Sequence, residues 1–282
     1  MAIRLQCRVP VKTGSEWLVR PTIRGASHLK LFCFSYAGVG PAVFRGWSDE
    51  LGSAGIEVSL VQLPGREARF RERLMHSIDE VVPPVAGAIA EMAGDHPYAL
   101  YGHSLGARTA FETARELRRM GSPEPVHLVV SACQAPQLPW RHPRLSDLPV
   151  DLFLRDIQQR YGGIPEAVLR DRETLEVLLP ILRADVGMLE NYVFRPAPPL
   201  DCGLSVFGGQ GDHTVTHASL AAWREQTTGP FHLEFVAGDH FCMPAVRRRM
   251  AHVLMPYGRR PDAHSSDRIG SEVNEPEAMN PW

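Results

Sequence analysis

The sequence predicts an α/β fold, in which a mostly parallel β-sheet carries helices on both of its faces. Short apolar runs alternate with segments of helical period through residues 27–257 of the 282-residue chain, as such a fold requires. Several of these runs are apolar at consecutive positions, which is typical of strands covered on both sides. The apolar fraction of 44% and the charged fraction of 22% suffice for a large core and exclude a disordered, coiled-coil or collagen-like chain.

Six apolar runs are predicted as the main strands, because each is short and is bounded by turn residues or helical patterns. They are Leu29–Phe34, Ile56–Gln62, Tyr98–Tyr101, Val126–Ser131, Leu204–Phe207 and Phe231–Val236. A shorter run at 17–19 can add an edge strand. Apolar residues at helical spacing predict helices over 41–54, 78–92, 107–120 and 246–254. Strands and helices therefore alternate along most of the chain.

One segment interrupts this alternation. The stretch between the strands at 126–131 and 204–207 is longer than a single crossover helix needs, and it carries helical spacing over 150–161 and 175–193. Pro180 predicts a kink in the second of these helices. We interpret residues 137–199 as a helical insertion and expect it to cover the carboxyl edge of the sheet, where α/β folds bind ligands. An extra pair of packing helices without a gating role is the alternative.

The two ends of the chain differ from its middle. Residues 1–26 are interpreted as an N-terminal extension and residues 27–257 as one folded domain. Residues 258–282 are polar, contain Pro and Ser, and show no period. We expect them to form a disordered C-terminal tail, since they cannot bury enough apolar surface to offset the entropy lost on ordering.

Charge and cysteine content restrict the classes of function. The net charge of −2 provides no basic excess for a nucleic-acid partner. No apolar run is long enough to span a bilayer, and the N-terminus has no apolar region typical of a secretory signal. The five cysteines are scattered and form no C-x-x-C pair, which favours reduced thiols in the cytoplasm.

The strongest chemical signal is the pentapeptide Gly102-His103-Ser104-Leu105-Gly106. It follows a predicted strand and opens a predicted helix, which is the context that a nucleophile elbow requires. A serine in such a sharp turn is held above the sheet, and small residues two positions away prevent a clash. The sequence therefore predicts Ser104 as a catalytic nucleophile. A serine that merely turns the chain is the alternative.

A serine hydroxyl needs a base, and the base needs an acid to orient it. His240 follows the last predicted strand, and Asp212 lies in the glycine-rich turn after the strand before it. Both should therefore lie beside Ser104 at the carboxyl edge of the sheet, in the chain order serine, acid, histidine. Three other acids are less well placed by their position in the chain: Asp185, Asp201 and Asp239.

Two backbone N–H groups should stabilise the oxyanion of a tetrahedral intermediate. The residue after the nucleophile, Leu105, supplies one, and Ala37 in the loop after the strand at 29–34 is the candidate for the other. The segment 64–67, which follows another strand, is expected to shape the rim of the pocket. His213 and His217 have no third metal ligand nearby, so we predict loop histidines and no metal site.

Six sequence segments carry a resemblance to a known family: FCFSYAGVG, LPGRE, YGHSLGA, LPILRAD, FGGQGDHTV and AAWREQTTGPFHLEFVAGDHFCM. Over residues 17–256 the chain resembles the stand-alone type II thioesterases of polyketide and nonribosomal peptide pathways. Position by position, the resemblance implies Ser104 as nucleophile, Asp212 as acid, His240 as base, and Ala37 and Leu105 as oxyanion donors. The chain departs from the family pattern F-P-x-A-G-G, because the second position is serine at 35 and the last is valine at 39.

This resemblance implies an α/β-hydrolase fold and a housekeeping activity. Such enzymes hydrolyse the thioester between a stray acyl group and the phosphopantetheine arm of a carrier domain. An acyl or peptidyl carrier domain would then be a transient partner, and phosphopantetheine part of the substrate rather than a cofactor. The 137–199 insertion would be a lid over an acyl chamber, and we expect a monomer. A chain-releasing thioesterase or cyclase, a small-ester esterase or peptidase, and a non-enzymatic binding module are the alternatives.

Overall fold

The computed structural model describes residues 16–21, 27–140 and 142–257. Within these ranges seven strands form one sheet: β1 (Leu18–Val19), β2 (Leu29–Phe34), β3 (Ile56–Val61), β4 (Tyr98–His103), β5 (His127–Ser131), β6 (Gly203–Gly209) and β7 (Phe231–Val236). Their order across the sheet is β1-β3-β2-β4-β5-β6-β7. β1 is antiparallel to β3, and every other neighbouring pair is parallel. The predicted α/β fold with a mostly parallel sheet is confirmed.

The strand order changes direction between β2 and β4, which is the position where open α/β sheets bind their ligands. β4 is two residues longer than the sequence predicts, because Gly102 and His103 continue the parallel pairing with β5. The chain therefore remains extended until the residue before Ser104. The loops that follow β2 and β4 lie next to each other at this edge.

Eight α-helices accompany the described strands: α1 (Trp47–Gly52), α2 (Ile78–Ala93), α3 (Leu105–Arg119), α4 (Val150–Arg160), α5 (Glu166–Arg170), α6 (Arg172–Glu190), α7 (His217–Ala221) and α8 (Met243–Leu254). The prediction of one helix over 41–54 is wrong. A short 3₁₀ helix at Pro41–Phe44 is separated from α1 by Gly46, whose φ of +81° breaks the helical path. The helices α5 and α7, which have five residues each, were not predicted from the sequence.

The two faces of the sheet bury separate apolar clusters. In β2, Phe32 and Phe34 pack into the cluster that α2 and α3 cover, while Leu31 and Cys33 pack into the cluster that α1 and α8 cover. This alternation follows from the period of two along a strand. It explains why the strand sequences are apolar at consecutive positions, since both faces are removed from water.

The helical insertion packs onto this framework with a small core of its own. Five buried residues form that core: Leu145, Phe153, Ile157, Leu182 and Val186. α6 runs through Pro180 as one helix and ends at Glu190, so Val193, predicted to be helical, lies beyond it. α6 contacts α3 of the framework, and Asp185 of α6 accepts from the N–H of Gly38 in the loop after β2. These contacts hold the insertion above the carboxyl edge of the sheet.

Several predictions concern segments that the structure does not describe. The tail at 258–282, and residues 1–15 and 22–26 of the N-terminal extension, lie outside the described residues, so the domain boundaries stay predictions. Cys7 also lies outside them, and the four cysteines within them are buried free thiols. Across the described ranges, no helix has the length and apolar character that a membrane span requires.

Candidate active site

Ser104 lies in a strained turn between β4 and α3. Its φ of +54° is rare for a residue with a side chain. The turn is tight, because a Cβ on Gly102 would overlap the backbone of Gly106, and a Cβ on Gly106 would overlap the carbonyl of Phe34. Glycine is therefore the residue that fits at both positions. The turn has the geometry of a nucleophile elbow, and the N-terminus of α3 lies directly behind the serine.

Two loops at the ends of β6 and β7 bring an acid and an imidazole to this turn. The N–H of Gly211 donates to the carbonyl of Gly238 over 2.9 Å, which joins the two loops. At Gly209 the loop after β7 comes so close that a Cβ would overlap the backbone of Asp239. Asp212 follows in one loop and His240 in the other. Their side chains meet although 28 positions separate them in the sequence.

The structure brings the three predicted catalytic side chains into one hydrogen-bonded path. Ser104 Oγ lies 3.2 Å from His240 Nε2, and His240 Nδ1 lies 2.9 Å from Asp212 Oδ2. The three residues are 5 to 8% exposed. A hydroxyl, an imidazole and a carboxylate in this order can move a proton from the serine to the ring and stabilise the resulting imidazolium.

Thr214, which was not predicted as a site residue, completes the surroundings of the acid. Its N–H and its Oγ1 approach Asp212 Oδ1 at 2.9 Å and 2.7 Å, and Oγ1 lies 3.2 Å from His240 Nδ1. Burial acts to raise the pKa of the Asp212 carboxyl, but the bonds from His240 and Thr214 outweigh it and leave the pKa below its usual range. The acid therefore stays ionised beside the ring. The D-x-T spacing, which is typical of an Asx turn, was the available signal.

Aromatic rings enclose the imidazole of His240. The centroid of the Tyr161 ring, from the insertion, lies 4.8 Å from the centroid of the His240 ring, and the centroid of the His103 ring lies 5.5 Å from it. His103 donates to or accepts from Ser131 Oγ through Nδ1 at 2.8 Å. Burial, and next the neighbouring His240, lower the pKa of His103 to about 3. His103 is thus a neutral neighbour of the imidazole, and it restricts the space that His240 can occupy.

The two predicted oxyanion donors belong to segments next to the serine. Leu105 is the first residue of α3, and Ala37 lines the same cavity as Ser104. In the described part of the chain, neither backbone N–H has a protein acceptor. The two positions that depart from the family pattern contact each other, because Ser35 Oγ donates to the carbonyl of Val39 over 3.2 Å. This bond closes the loop at 35–40.

A cavity of about 160 Å³ opens onto Ser104 and His240. Its walls combine the loop after β2 with apolar side chains of the insertion. Those side chains come from α4, α6 and the segment between them and include Ile157, Ile164, Leu178, Leu182, Val186 and Leu189. The insertion therefore lies over the serine, as the sequence predicts for residues 137–199. Such a chamber suits an apolar group attached to a reactive carbonyl carbon.

The competing candidates lie elsewhere or have other contacts. Asp239 is exposed and accepts from the N–H of Phe241. Asp201 lies before β6, at the opposite edge of the sheet. His217 stacks on the ring of Phe235. Among the described residues, no three His, Cys, Asp or Glu side chains form a group that could hold a metal ion.

The elbow, the hydrogen-bonded path and the parallel sheet define a serine hydrolase of the α/β-hydrolase fold. A sequence model of the thioesterase domain matches residues 29–255. The chain therefore belongs to the thioesterase family.

Individual relatives place it more narrowly in this family. The gramicidin S biosynthesis protein GrsT of Aneurinibacillus migulanus is 40% identical over 227 residues, which cover 80% of this chain and 88% of GrsT. The structure of RedJ, a thioesterase of prodiginine biosynthesis in Streptomyces coelicolor, matches with a TM-score of 0.74 at 36% identity, covering 84% of this chain and 91% of RedJ. BorB, a type II thioesterase of the borrelidin cluster, matches with a TM-score of 0.76 at 27% identity, covering 88% and 98%. All three of these relatives belong to natural-product biosynthesis, and BorB is a type II thioesterase.

Proposed function

We propose that the protein hydrolyses aberrant or stalled acyl groups from the phosphopantetheine arm of carrier domains in polyketide or nonribosomal peptide synthesis. The observation that carries the proposal is the path from Ser104 through His240 to Asp212, which opens onto an apolar cavity beneath the insertion. The relatives support it, because GrsT is named for gramicidin S biosynthesis and BorB is a type II thioesterase of a biosynthetic cluster.

In the proposed reaction, Ser104 Oγ attacks the thioester carbonyl carbon while His240 Nε2 takes the hydroxyl proton. The carbonyl oxygen becomes an oxyanion, for which the N–H groups of Ala37 and Leu105 are the proposed donors. The C–S bond then breaks, and protonated His240 returns the proton to the leaving thiol. A water molecule, deprotonated by His240, attacks the acyl ester of Ser104. The free acid leaves, and Ser104 regains its proton.

The acyl group and the arm would occupy different parts of the site. The apolar walls of the cavity suit the acyl group, and the arm would bring its sulfur to Ser104 from outside. Phosphopantetheine then arrives as part of the substrate, and the proposal includes no cofactor of the chain itself. We further propose that the carrier domain is a transient partner and that the protein acts as a monomer in the cytoplasm.

Replacing the nucleophile tests the proposal. We expect Ser104→Ala to lower the hydrolysis of acyl-carrier thioesters by roughly 10⁴- to 10⁶-fold, as is usual when a triad nucleophile is lost. A fluorophosphonate probe should label the wild-type protein and leave this variant unlabelled. Ser53→Ala is the matched control, because Ser53 is exposed and lies before β3, at the edge of the sheet opposite Ser104. Near wild-type turnover by Ser104→Ala would refute the proposal.

A substrate panel separates the proposed activity from others on the same fold. Acyl-carrier, acyl-CoA, ester and amide substrates are compared at equal concentration, and the products are analysed by mass spectrometry. We expect preference for the acyl carrier and release of the free acid. A preference for esters or amides would indicate an esterase or peptidase, and a macrocyclic product would indicate a chain-releasing cyclase.

A further inference from the structure

A buried ion pair joins the helical insertion to the loop that carries Ala37. Asp185 of α6 and Arg66, which follows β3, form two parallel bonds, 2.6 Å from Nη1 to Oδ2 and 2.8 Å from Nη2 to Oδ1. Asp185 is 0% exposed and Arg66 is 4% exposed. The two residues are 119 positions apart in the sequence. Neither belongs to the path from Ser104 to Asp212, so the proposed reaction leaves this pair without a role.

Both members of the pair also bind the backbone of the loop at 35–40. The N–H of Gly38 donates to Asp185 Oδ2 over 2.7 Å, and Arg66 Nη1 donates to the carbonyl of Val39 over 3.2 Å. The pair therefore holds two of the three peptide groups that follow Ala37, namely the one between Ala37 and Gly38 and the one between Val39 and Gly40. The peptide plane between Ala37 and Gly38 is fixed by the bond from the Gly38 N–H, and a fixed plane on one side of a residue restricts the backbone rotation of that residue. The bond to Asp185 therefore also restricts the direction of the Ala37 N–H.

α6 touches the same loop with an apolar side chain one turn before Asp185. Gly38 has a φ of +85°, and a Cβ at this position would lie 2.9 Å from Leu182 Cδ1. The loop and α6 are therefore in direct van der Waals contact. The polar contact of Asp185 and the apolar contact of Leu182 act on one residue, Gly38, which is adjacent to the proposed oxyanion donor.

Stability alone is a weak reason for such a pair. Removing two charges from water is expensive, and replacing a buried ion pair by apolar side chains of similar size is often neutral or stabilising. A charged acceptor does, however, give a short and directional bond to a backbone N–H. The geometry points to a different contribution: the Asp185 carboxylate holds the Gly38 peptide in a fixed orientation.

We propose that Asp185 and Arg66 are positioning residues that hold the loop at 35–40 with the Ala37 N–H directed at the oxyanion. The inference rests on the proposed thioesterase reaction. It also means that the insertion contributes to the chemistry as well as to the walls of the cavity, because the oxyanion loop has its full support only when α6 is seated on it.

The double variant Arg66→Met with Asp185→Leu tests this role. Two apolar side chains replace the two charges, which offsets most of the lost ion pair, so we expect the protein to fold with a melting temperature moderately below that of the wild type. The Gly38 N–H loses its acceptor, and we expect kcat to fall roughly 10²-fold, as when one oxyanion donor is lost, with KM little changed. The single variant Asp185→Asn, which leaves Arg66 without a charge partner, should be both slower and less stable.

A second readout follows the oxyanion without the native substrate. An alkyl boronic acid takes the Ser104 oxygen at boron while His240 takes the proton, and the tetrahedral adduct resembles the intermediate. We expect the double variant to bind this boronic acid more weakly by about the same factor as kcat. Its affinity for a thioether analogue of the acyl arm, which has no oxyanion, should remain at the wild-type value.

The matched control is the ion pair between Asp79 and Arg195, which is also bidentate but is 66% and 73% exposed. Asp79→Leu with Arg195→Met should leave kcat and boronic acid binding unchanged. If the Arg66–Asp185 double variant is folded and keeps wild-type kcat and boronic acid affinity, the positioning role is wrong. If the wild-type protein does not hydrolyse acyl carriers, the proposed function fails, while boronic acid binding to Ser104 still tests the positioning role.

Discussion

At the scale of single residues, the acid of the active site depends on a neighbour two positions along the chain. Thr214 binds one oxygen of Asp212 with its N–H and its hydroxyl, while His240 takes the other oxygen. The hydroxyl therefore fixes the rotation of the carboxylate. Without the hydroxyl, Asp212 Oδ1 would keep only the N–H of Thr214 as its partner. The carboxylate could then turn away from the imidazole of His240.

We expect Thr214→Val to lower kcat roughly tenfold, the cost of one hydrogen bond to a charged group. The shape of the side chain is kept, so KM and the melting temperature should change little. Thr214→Ser is the control, because it retains the hydroxyl and should keep most of the activity. Steady-state kinetics with an acyl-carrier substrate measures both. Equal rates for the valine and serine variants would show that the hydroxyl has no role.

His103 links stability to pH. Burial, and next the adjacent His240, lower its pKa from the ordinary 6.5 to about 3, so between these values the unfolded chain binds a proton that the folded chain does not. The contribution of neutral His103 to the free energy of unfolding is therefore fully present above pH 6.5 and is lost as the pH decreases towards 3. Between pH 6.5 and 5 this one residue should cost roughly 2 kcal/mol.

Urea unfolding at about pH 7.5 and about pH 5 measures this effect. Asparagine cannot gain a proton in this range, so we expect His103→Asn to lose less stability on acidification than the wild type, although its stability at neutral pH is lower. His127, whose pKa burial lowers to about 4, contributes in the same direction and remains in both proteins. An identical loss in the two proteins would exclude His103 as a source of the acid sensitivity.

At the scale of secondary-structure elements, α6 lines the cavity with one face. Leu178 lies in the cavity wall, whereas its neighbour Val177 is 47% exposed. Successive helical residues point in directions about 100° apart, so the two side chains serve different surfaces. The length of acyl chain that the cavity accepts should therefore depend on Leu178 and not on Val177.

We expect Leu178→Ala to enlarge the cavity and to raise kcat/KM for long acyl chains relative to short ones by roughly tenfold, since each buried methylene contributes about 0.8 kcal/mol. Val177→Ala removes a similar apolar group from the same helix and should leave the ratio unchanged. The measurement is a series of acyl carriers that differ in chain length. A ratio that shifts equally in both variants would assign the effect to the stability of the helix rather than to the cavity.

The elements that could be predicted from the sequence are those with a strong period and clear boundaries. The strands β2 and β7 lie at their predicted residues, because a short run rich in apolar residues and bounded by turn residues is a clear strand signal. The helix predicted over 41–54 is interrupted at Gly46, which adopts the left-handed conformation that glycine tolerates and that ends a helical path. Helix α5 was not predictable from the sequence, because it buries no residue and therefore shows no apolar stripe.

At the scale of the whole molecule, topology explains why the central site residues were predictable. Ser104, Asp212 and His240 each follow a parallel strand, and the carboxyl ends of parallel strands meet at one edge. The roles inferred for Arg66 and Asp185 were not predictable in this way. They depend on one side chain of the insertion reaching a loop of the sheet, which no local pattern specifies.

The division of the core predicts how the molecule opens. The sheet is enclosed by two large apolar clusters, whereas the insertion has a core of five buried residues. Segments with few buried contacts open more often than central strands, so we expect the amides of α4 and α5 to exchange with deuterium well before those of β4 and β5. Hydrogen exchange read by mass spectrometry measures this order. A thioether analogue of the acyl arm should slow exchange in α4 and leave exchange in β4 unchanged. Equal protection of α4 and β4 without the analogue would show that the insertion opens only with the whole fold.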